Sequence, residues 1–318
     1  MTIALTGSSG FIGRVLAPLL TASGHELRVL VHRTAPCIQA TVIRGDLLDT
    51  DALDRLVSGA DVVIHLAAAI DIRDRVDPQT MAVNIDGTRL LLDAARKAGV
   101  RRFIHVSSVA AFEQAPFDEP LDETRHLSTD RRRPYDYAKA VAQASVLACT
   151  DLEVIVLAPT AVLGPFDEKP SLLGKAIISM RLGRVPALFP GGVDFVDVRD
   201  VADAVASAVV RGVPGRVYLL AGRWAPLQTL NTGRRLPELP LWLIWAALPF
   251  VRAWAGLTGS APYYTRQAVY NVVHSNRCID ATRAKTDLGF RPRPLEETLK
   301  DSIAWFQQQG MLSLPPAG

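Results

Sequence analysis

Tyr135 and Lys139 stand four residues apart in the run Pro134-Tyr135-Asp136-Tyr137-Ala138-Lys139. In a helix that spacing places both on one face, while Tyr137, two residues from each, points elsewhere. A free phenol loses its proton at about pH 10, too high for easy exchange at neutral pH. A neighbouring ammonium stabilises the phenolate and lowers that value. Such a tyrosine serves as general acid when a carbonyl is reduced, or as general base in the reverse direction. Taken alone, the pair reads equally well as an ordinary amphipathic contact. Ser107 and Ser108 follow the apolar run Phe103-Ile104-His105-Val106, at the strand end where open parallel sheets put their chemistry. By position alone Ser108 reads also as a turn residue.

A second stretch with chemistry in it is Thr6-Gly7-Ser8-Ser9-Gly10-Phe11-Ile12-Gly13. It follows the apolar run Ile3-Ala4-Leu5 and precedes an apolar-periodic segment, Arg14 to Ala22: strand, glycine turn, helix. Gly7 lets the chain turn off the strand, Gly10 lets a pyrophosphate approach the backbone, and Gly13 lets the helix pack on the sheet. Amides at the helix start then face the phosphates. Gly7, Ser9, Gly10, Phe11 and Ile12 are therefore assigned to a nucleotide. A purely structural turn is the alternative, and the strand and helix on either side argue against it.

These residues need a scaffold, and the chain supplies one in order. Leu27 to Val31 reads as the second strand. No carboxylate stands at its end to bind a ribose 2′-hydroxyl; His32 and Arg33 do, and a guanidinium pairs with a phosphate. This favours NADP(H) over NAD(H), with a solvated loop charge as the other reading of Arg33. Thr41 to Arg44 reads as a third strand. After it, Asp46, beside Leu47, is placed to accept from an adenine amino group, or to cap a turn or the next helix, for which Asp51 also qualifies. Val62 to His65 is a buried strand run, and the small residues after Leu66, Ala67 and Ala68 among them, leave room for a dinucleotide. His65 reads as a packed histidine. Met81 to Ala98 has helical periodicity, contains Asn84 and stops at Gly99.

Size and charge set outer bounds. The 318 residues suffice for a large core and a second lobe, and 49% hydrophobic residues read as globular. A net charge of +3 gives no reason to expect nucleic acid. Cys37, Cys149 and Cys278 show neither metal-ligand spacing nor a disulfide framework, and with a strand starting at residue 3 the chain reads as cytoplasmic, without a signal peptide. Residues 239–251, LPLWLIWAALPFV, are too short to span a bilayer. They read as a packing or pocket helix, or as a surface for peripheral contact with a membrane or an apolar partner. In the second half Leu172 to Arg181 reads as a helix, Asp200 as the N-cap of another, and Asp197 and Asp200 as structural. Residues 223–277 suit a variable pocket, with Trp245, Tyr263 and Tyr264 as its walls or as core.

The chain resembles the extended short-chain dehydrogenase/reductases over nearly its whole length: TGSSGFIG, RGDLLD, HLAA, the helix with Asn84, VSSVAAF, YDYAK, APTAVLGP, VDVRDVADA and LGFRPRPLEETL. The resemblance implies an α/β fold, a Rossmann-type doubly wound parallel sheet with a smaller, mostly C-terminal substrate-binding lobe. Residues 1–165 form the nucleotide domain, with 193–221 returning to it and 166–318 mostly substrate lobe. It implies that Ser108 holds the substrate oxygen, Tyr135 exchanges its proton and Lys139 bonds the nicotinamide ribose. Pro159, Thr160 and Val162 would border the nicotinamide, Asn84 would support the site from beneath, and no metal takes part. A homodimer through the two long helices follows at family level only.

Departures narrow the branch. Val109-Ala110 follow Ser108 where sugar-nucleotide dehydratases place an acidic pair. Thr160 stands where sugar-nucleotide epimerases usually carry an asparagine. The pattern is similar to dihydroflavonol-reductase-like and 3β-hydroxysteroid-dehydrogenase-like members, which act on apolar ketones or alcohols. An NADPH-dependent reductase of a hydrophobic small molecule is the first expectation. A sugar-nucleotide epimerase with tightly bound NAD is the second, and a non-catalytic nucleotide-binding scaffold the third.

Overall fold

The computed structural model describes residues 1–34, 38–69, 77–231, 235–246, 248 and 266–312. Seven strands form an all-parallel sheet: β1 (Thr2–Thr6), β2 (Glu26–Val31), β3 (Thr41–Arg44), β4 (Val62–His65), β5 (Arg102–Val106), β6 (Glu153–Pro159) and β9 (Val217–Leu220). Their order is β3-β2-β1-β4-β5-β6-β9. The order reverses between β1 and β4, and a crevice opens outside the strand ends at such a switch point. Strands β4 and β5 are buried along their full lengths, as strands of a parallel sheet covered on both faces should be, Arg102, His65 and His105 included.

Helices α1 (Phe11–Ala22) and α6 (Val198–Arg211) pack together on one face through Leu16, Leu20, Val201 and Val205. On the other face α2 (Thr50–Val57), α3 (Pro78–Lys97) and α4 (Pro134–Leu147) bury Leu53, Leu91 and Val146. A separate core of Ile177, Leu188, Phe189, Phe195 and Phe306 lies under a three-stranded sheet, β10-β8-β7. Its strands are β7 (Ala161–Leu163), β8 (Gly192–Asp197) and β10 (Arg223–Pro226), and α5 (Leu172–Arg181), α7 (Arg266–Val273) and α9 (Leu295–Gln308) belong with it. Helix α8 (Thr282–Leu288) instead covers α6 and β9. Of the stretch 193–221, α6 and β9 join the large sheet and β8 joins the small one.

Three helix starts differ from the sequence reading, and an aspartate caps each. Asp49, not Asp46 or Asp51, accepts the Ala52 amide at 3.0 Å to open α2. Asp77 accepts the Gln79 amide at 2.9 Å and opens α3 at Pro78, about one turn before Met81. Asp197 accepts the Arg199 amide at 2.8 Å and caps α6, while Asp200 lies in the first turn and pairs with Arg293. Residues 241–246 are helical. Ile244 is buried there while Trp242 is 71% exposed, so the segment both packs inward and presents apolar surface outward. Trp245 packs against the second core with Arg266 over its ring; Tyr263 and Tyr264 lie outside the described residues.

Candidate active site

The glycine loop closes on the end of β4. Gly7 has φ +75°, and a Cβ there would fall 2.7 Å from the Ala67 amide nitrogen. A Cβ on Gly13 would sit 2.1 Å from the Gly7 carbonyl oxygen, so both positions tolerate only glycine. Gly10 differs: an added Cβ would meet only the Gly7 oxygen, at 3.2 Å, and its outer side is open. No side chain caps the start of α1 and no acid stands in its first turn. The first amides of the helix therefore point outward without intrahelical acceptors. The buried Ser8 hydroxyl also has no partner among the described residues. An open glycine, uncapped amides and an unused hydroxyl suit a pyrophosphate. Ser9, Phe11 and Ile12 are partly exposed around the loop, as are Leu66, Ala67 and Ala68 across the crevice.

Around this loop the remaining cofactor assignments divide. His32 and Arg33 are exposed at the end of β2. Asp46 is exposed and uses one oxygen to accept the Leu48 amide at 2.8 Å. Leu47 is buried and packs against α3, where a Cβ on Gly87 would lie 2.8 Å from its own. Asn84 spends its amide on Ala69, accepting from N and donating to O at 2.8 Å each, and so fixes the chain leaving β4. Thr160 is buried at the end of β6, its hydroxyl 3.4 Å from the Leu220 carbonyl and bonded to Asp194. Pro159 is buried beside it, and Val162 is partly exposed on β7.

The sheet end brings Ser108, Tyr135 and Lys139 together. Ser108 follows β5, its hydroxyl accepting from the Ala110 amide at 3.2 Å. The Tyr135 hydroxyl is enclosed and hydrogen-bonded to Ser108, although the residue as a whole is half-buried. Lys139, one turn on, is 6% exposed and donates to the Val106 carbonyl at 3.2 Å. Tyr137 turns away, with Arg131 over its ring.

Burial governs the acidities. It pushes the Tyr135 phenol up to about 12, with Ser108 pulling it back and the Asp136 charge raising it further. It pushes the Lys139 ammonium down to about 8. The lowering expected from the lysine charge is not among the influences on Tyr135; removal of the phenolate from water dominates, and Lys139 donates to the Val106 carbonyl. In this enclosure the phenol is held protonated, the form a general acid requires.

Two histidines lie beneath. His65 is bonded on both sides, Nδ1 to Thr6 Oγ1 at 2.7 Å and Nε2 to Thr88 Oγ1 at 3.0 Å. Thr88 already donates to the Asn84 carbonyl, so His65 Nε2 carries the proton and the ring is neutral. Burial and the Lys139 charge hold its pKa near 3. His105, paired with it across β4 and β5 at 5.3 Å between rings, has no partner for either nitrogen among the described residues.

One contact beside Tyr135 in the chain escaped the sequence reading. Arg133 bonds Asp136 at 3.2 Å and stacks over Tyr270 of α7, which in turn stacks on His274 at 4.2 Å. The contact joins positions far apart in the chain, and no local pattern signals it. Asp136 is pushed up to about 6 by burial against the pull of Arg133.

Comparison with known proteins agrees with this geometry. The family model described as the NAD dependent epimerase/dehydratase family matches residues 3–221. The chain is 30% identical to sterol demethylase protein B of Methylococcus capsulatus, covering 98% of this chain and all of that protein. It is 31% identical to ceramide reductase of Caulobacter vibrioides, over 86% of this chain and 84% of that one. The crystal structure of gox2253 superposes with a TM-score of 0.83 at 31% identity, covering 98% of this chain and 99% of the other. Since the match takes in the glycine loop, the β5 end and the Tyr135 helix alike, the protein belongs to the NAD dependent epimerase/dehydratase family, the extended short-chain dehydrogenase/reductases, and is an NAD(P)-dependent enzyme of that type.

Proposed function

We propose that the protein is an NADPH-dependent oxidoreductase that reduces a ketone of a hydrophobic small molecule, or oxidises the corresponding alcohol. The observation that carries this reading is the convergence of Ser108, Tyr135 and Lys139 at the end of β5, with the Tyr135 hydroxyl enclosed beside Ser108 and Lys139 donating to the Val106 carbonyl at 3.2 Å. Gly7 to Ile12 would hold the pyrophosphate, and Arg33 the 2′-phosphate. NADPH held there would supply the hydride for the carbonyl carbon, giving the alcohol and NADP+. Ser108 orients the carbonyl oxygen, and Tyr135 gives it the proton. Lys139, charged below about pH 8, holds the nicotinamide ribose. Neither Val109 nor Ala110 supplies an acid for eliminating water. The names of two relatives, a sterol demethylase protein and a ceramide reductase, point to apolar lipids.

Tyr135→Phe should lower NADPH oxidation against a panel of steroid, acyl and aromatic ketones by roughly 10²–10⁴-fold while the cofactor still binds. Unchanged turnover would refute the role. The family also contains sugar-nucleotide epimerases, and that second reading predicts NAD released on denaturation and no net NADPH consumption.

A further inference from the structure

We infer that Lys169, carried on the connection between β7 and α5, is a specificity residue for the 2′-phosphate of the cofactor. This rests on the NADP(H) reading above and adds a residue from outside the β2 region. In doubly wound sheets the adenosine ribose lies beyond the end of the second strand. Here that strand ends at Val31, followed by His32, Arg33 and Thr34, and its register partner on β3 is Arg44. None of the three residues that follow Val31 is a carboxylate, and Glu168, beside Lys169, is paired with Arg14.

The connection reaches that place by a defined path. Gly164, with φ +146°, passes so close to Val198 that a Cβ would come within 2.5 Å of it. Phe166 adopts φ +74°, a left-handed conformation costly for a non-glycine residue, and its ring meets the edge of Trp305. Asp167, 3% exposed, accepts both the Ser171 amide and its hydroxyl, at 2.8 and 2.7 Å, and fixes the start of α5. Glu168 pairs with Arg14 at 2.7 Å, and Arg14 also donates to the Ser9 carbonyl at 3.0 Å, so the connection is tied to the glycine loop. The next residue, Lys169, then donates to the Thr34 hydroxyl at 3.1 Å, across 135 positions of sequence.

That contact leaves Lys169 two further donors. Its ammonium lies on Thr34, the residue after Arg33, at the end of β2, where a 2′-phosphate would be placed. Arginine binds phosphate through a planar fork and lysine as a point charge, so the two complement each other. A solvated lysine leaning on a threonine would show the same contact, and binding decides between them.

The test is calorimetric titration of the full-length protein, without turnover, with 2′,5′-ADP and 5′-AMP and with NADP+ and NAD+. Lys169→Met should weaken 2′,5′-ADP and NADP+ by about tenfold and leave 5′-AMP and NAD+ within about twofold. Lys169→Arg should restore most of the loss. If Lys169→Met leaves 2′,5′-ADP unchanged while Arg33→Met weakens it, the inference falls and the NADP(H) reading stands. Equal weakening of 2′,5′-ADP and 5′-AMP also overturns it, because the 2′-phosphate would not be what Lys169 reads. A wild-type protein that binds NAD+ as tightly as NADP+ removes the NADP(H) reading itself, and the inference with it.

Discussion

Asp197 and Lys139 are both sealed from water, and their surroundings answer burial in opposite ways. Asp197, the last residue of β8 in the small sheet, receives bonds from Arg199 Nε at 3.0 Å, Arg199 Nη2 at 2.7 Å, the Arg199 amide at 2.8 Å and Thr298 at 2.8 Å. Burial pushes its carboxyl up, but these partners together carry it below the usual carboxylate range. Arg199 is held in turn by Asp301 at 2.8 Å. Lys139, at the end of β5, has one carbonyl partner and is pushed down to about 8. Close to it in the chain and the sheet, His105, Ser107 and Asp136 each leave at least one buried polar atom without a partner among the described residues. Polar groups that hold a fold together are generally satisfied, whereas groups that do chemistry are left with capacity to spare. The small-sheet cluster is of the first kind and the β5 cluster of the second.

The contrast fails first at Lys139, where the largest effect is expected. Lys139→Met should cut turnover by roughly 10²–10⁴-fold. The same change should raise stability by about 1–3 kcal/mol, since a buried and poorly paired charge is removed. Paired activity and thermal-melt measurements check both signs. In the wild type, activity should fall as pH rises through about 8, where Lys139 loses its proton. A Lys139→Met protein that melts lower would place the lysine among the structural ions.

Asp197→Ala sharpens the other side. Removing one member of a buried, fully bonded ion pair costs roughly 3–5 kcal/mol, with Arg199 left partly uncompensated. Denaturant unfolding should show that loss, while the folded fraction keeps its turnover at low temperature. A loss under about 1 kcal/mol would mean that the cluster contributes little to the fold.

What the sequence revealed follows the range of the interactions. The glycine loop, the β5 end and the Tyr135–Lys139 pair are local patterns, and all three were legible because spacing alone sets which residues share a face. Most strands lie within a residue or two of their reading, since buried parallel strands are unbroken apolar runs. Helix starts were less legible: several aspartates stand near each start, and only the fold shows which one reaches an amide. The direction of the Tyr135 shift was missed because desolvation depends on everything packed around the phenol, and the Asp136 charge adds to it. The Arg133–Tyr270–His274 stack and the reach of Lys169 to Thr34 were invisible, since they join residues far apart in the chain.

Asp136 gives the next effect. Its folded pKa of about 6 lies above its unfolded value, so the folded state holds a proton that the unfolded chain has released. Stability therefore falls as pH rises between about 4 and 6 and stays lower above that. Asp136→Asn should remove this slope and gain about 1–2 kcal/mol at neutral pH. Asp197 behaves oppositely, contributing stability above its unfolded pKa that is lost on acidification. Asp194 and Asp200 share the direction of Asp136, both raised to about 6 by burial, so the slope must be read as variant minus wild type. A difference curve that is flat from pH 4 to 7 would show that Asp136 is not the strained carboxylate.

His105 is the smallest and most discriminating probe. Both of its ring nitrogens lack a partner among the described residues, and burial, His65 and Lys139 all hold its pKa well below the ordinary value. Phenylalanine keeps an aromatic ring against His65 and removes the two desolvated nitrogens. His105→Phe should therefore stabilise the protein by roughly 0.5–1.5 kcal/mol and leave the alkaline limb of the pH profile at about 8. A less stable variant would mean that interior water satisfies those nitrogens, so that the β5 cluster is as closed as the one around Asp197. A displaced alkaline limb would mean that His105 sets the acidity of Lys139 directly, which would make it a positioning residue.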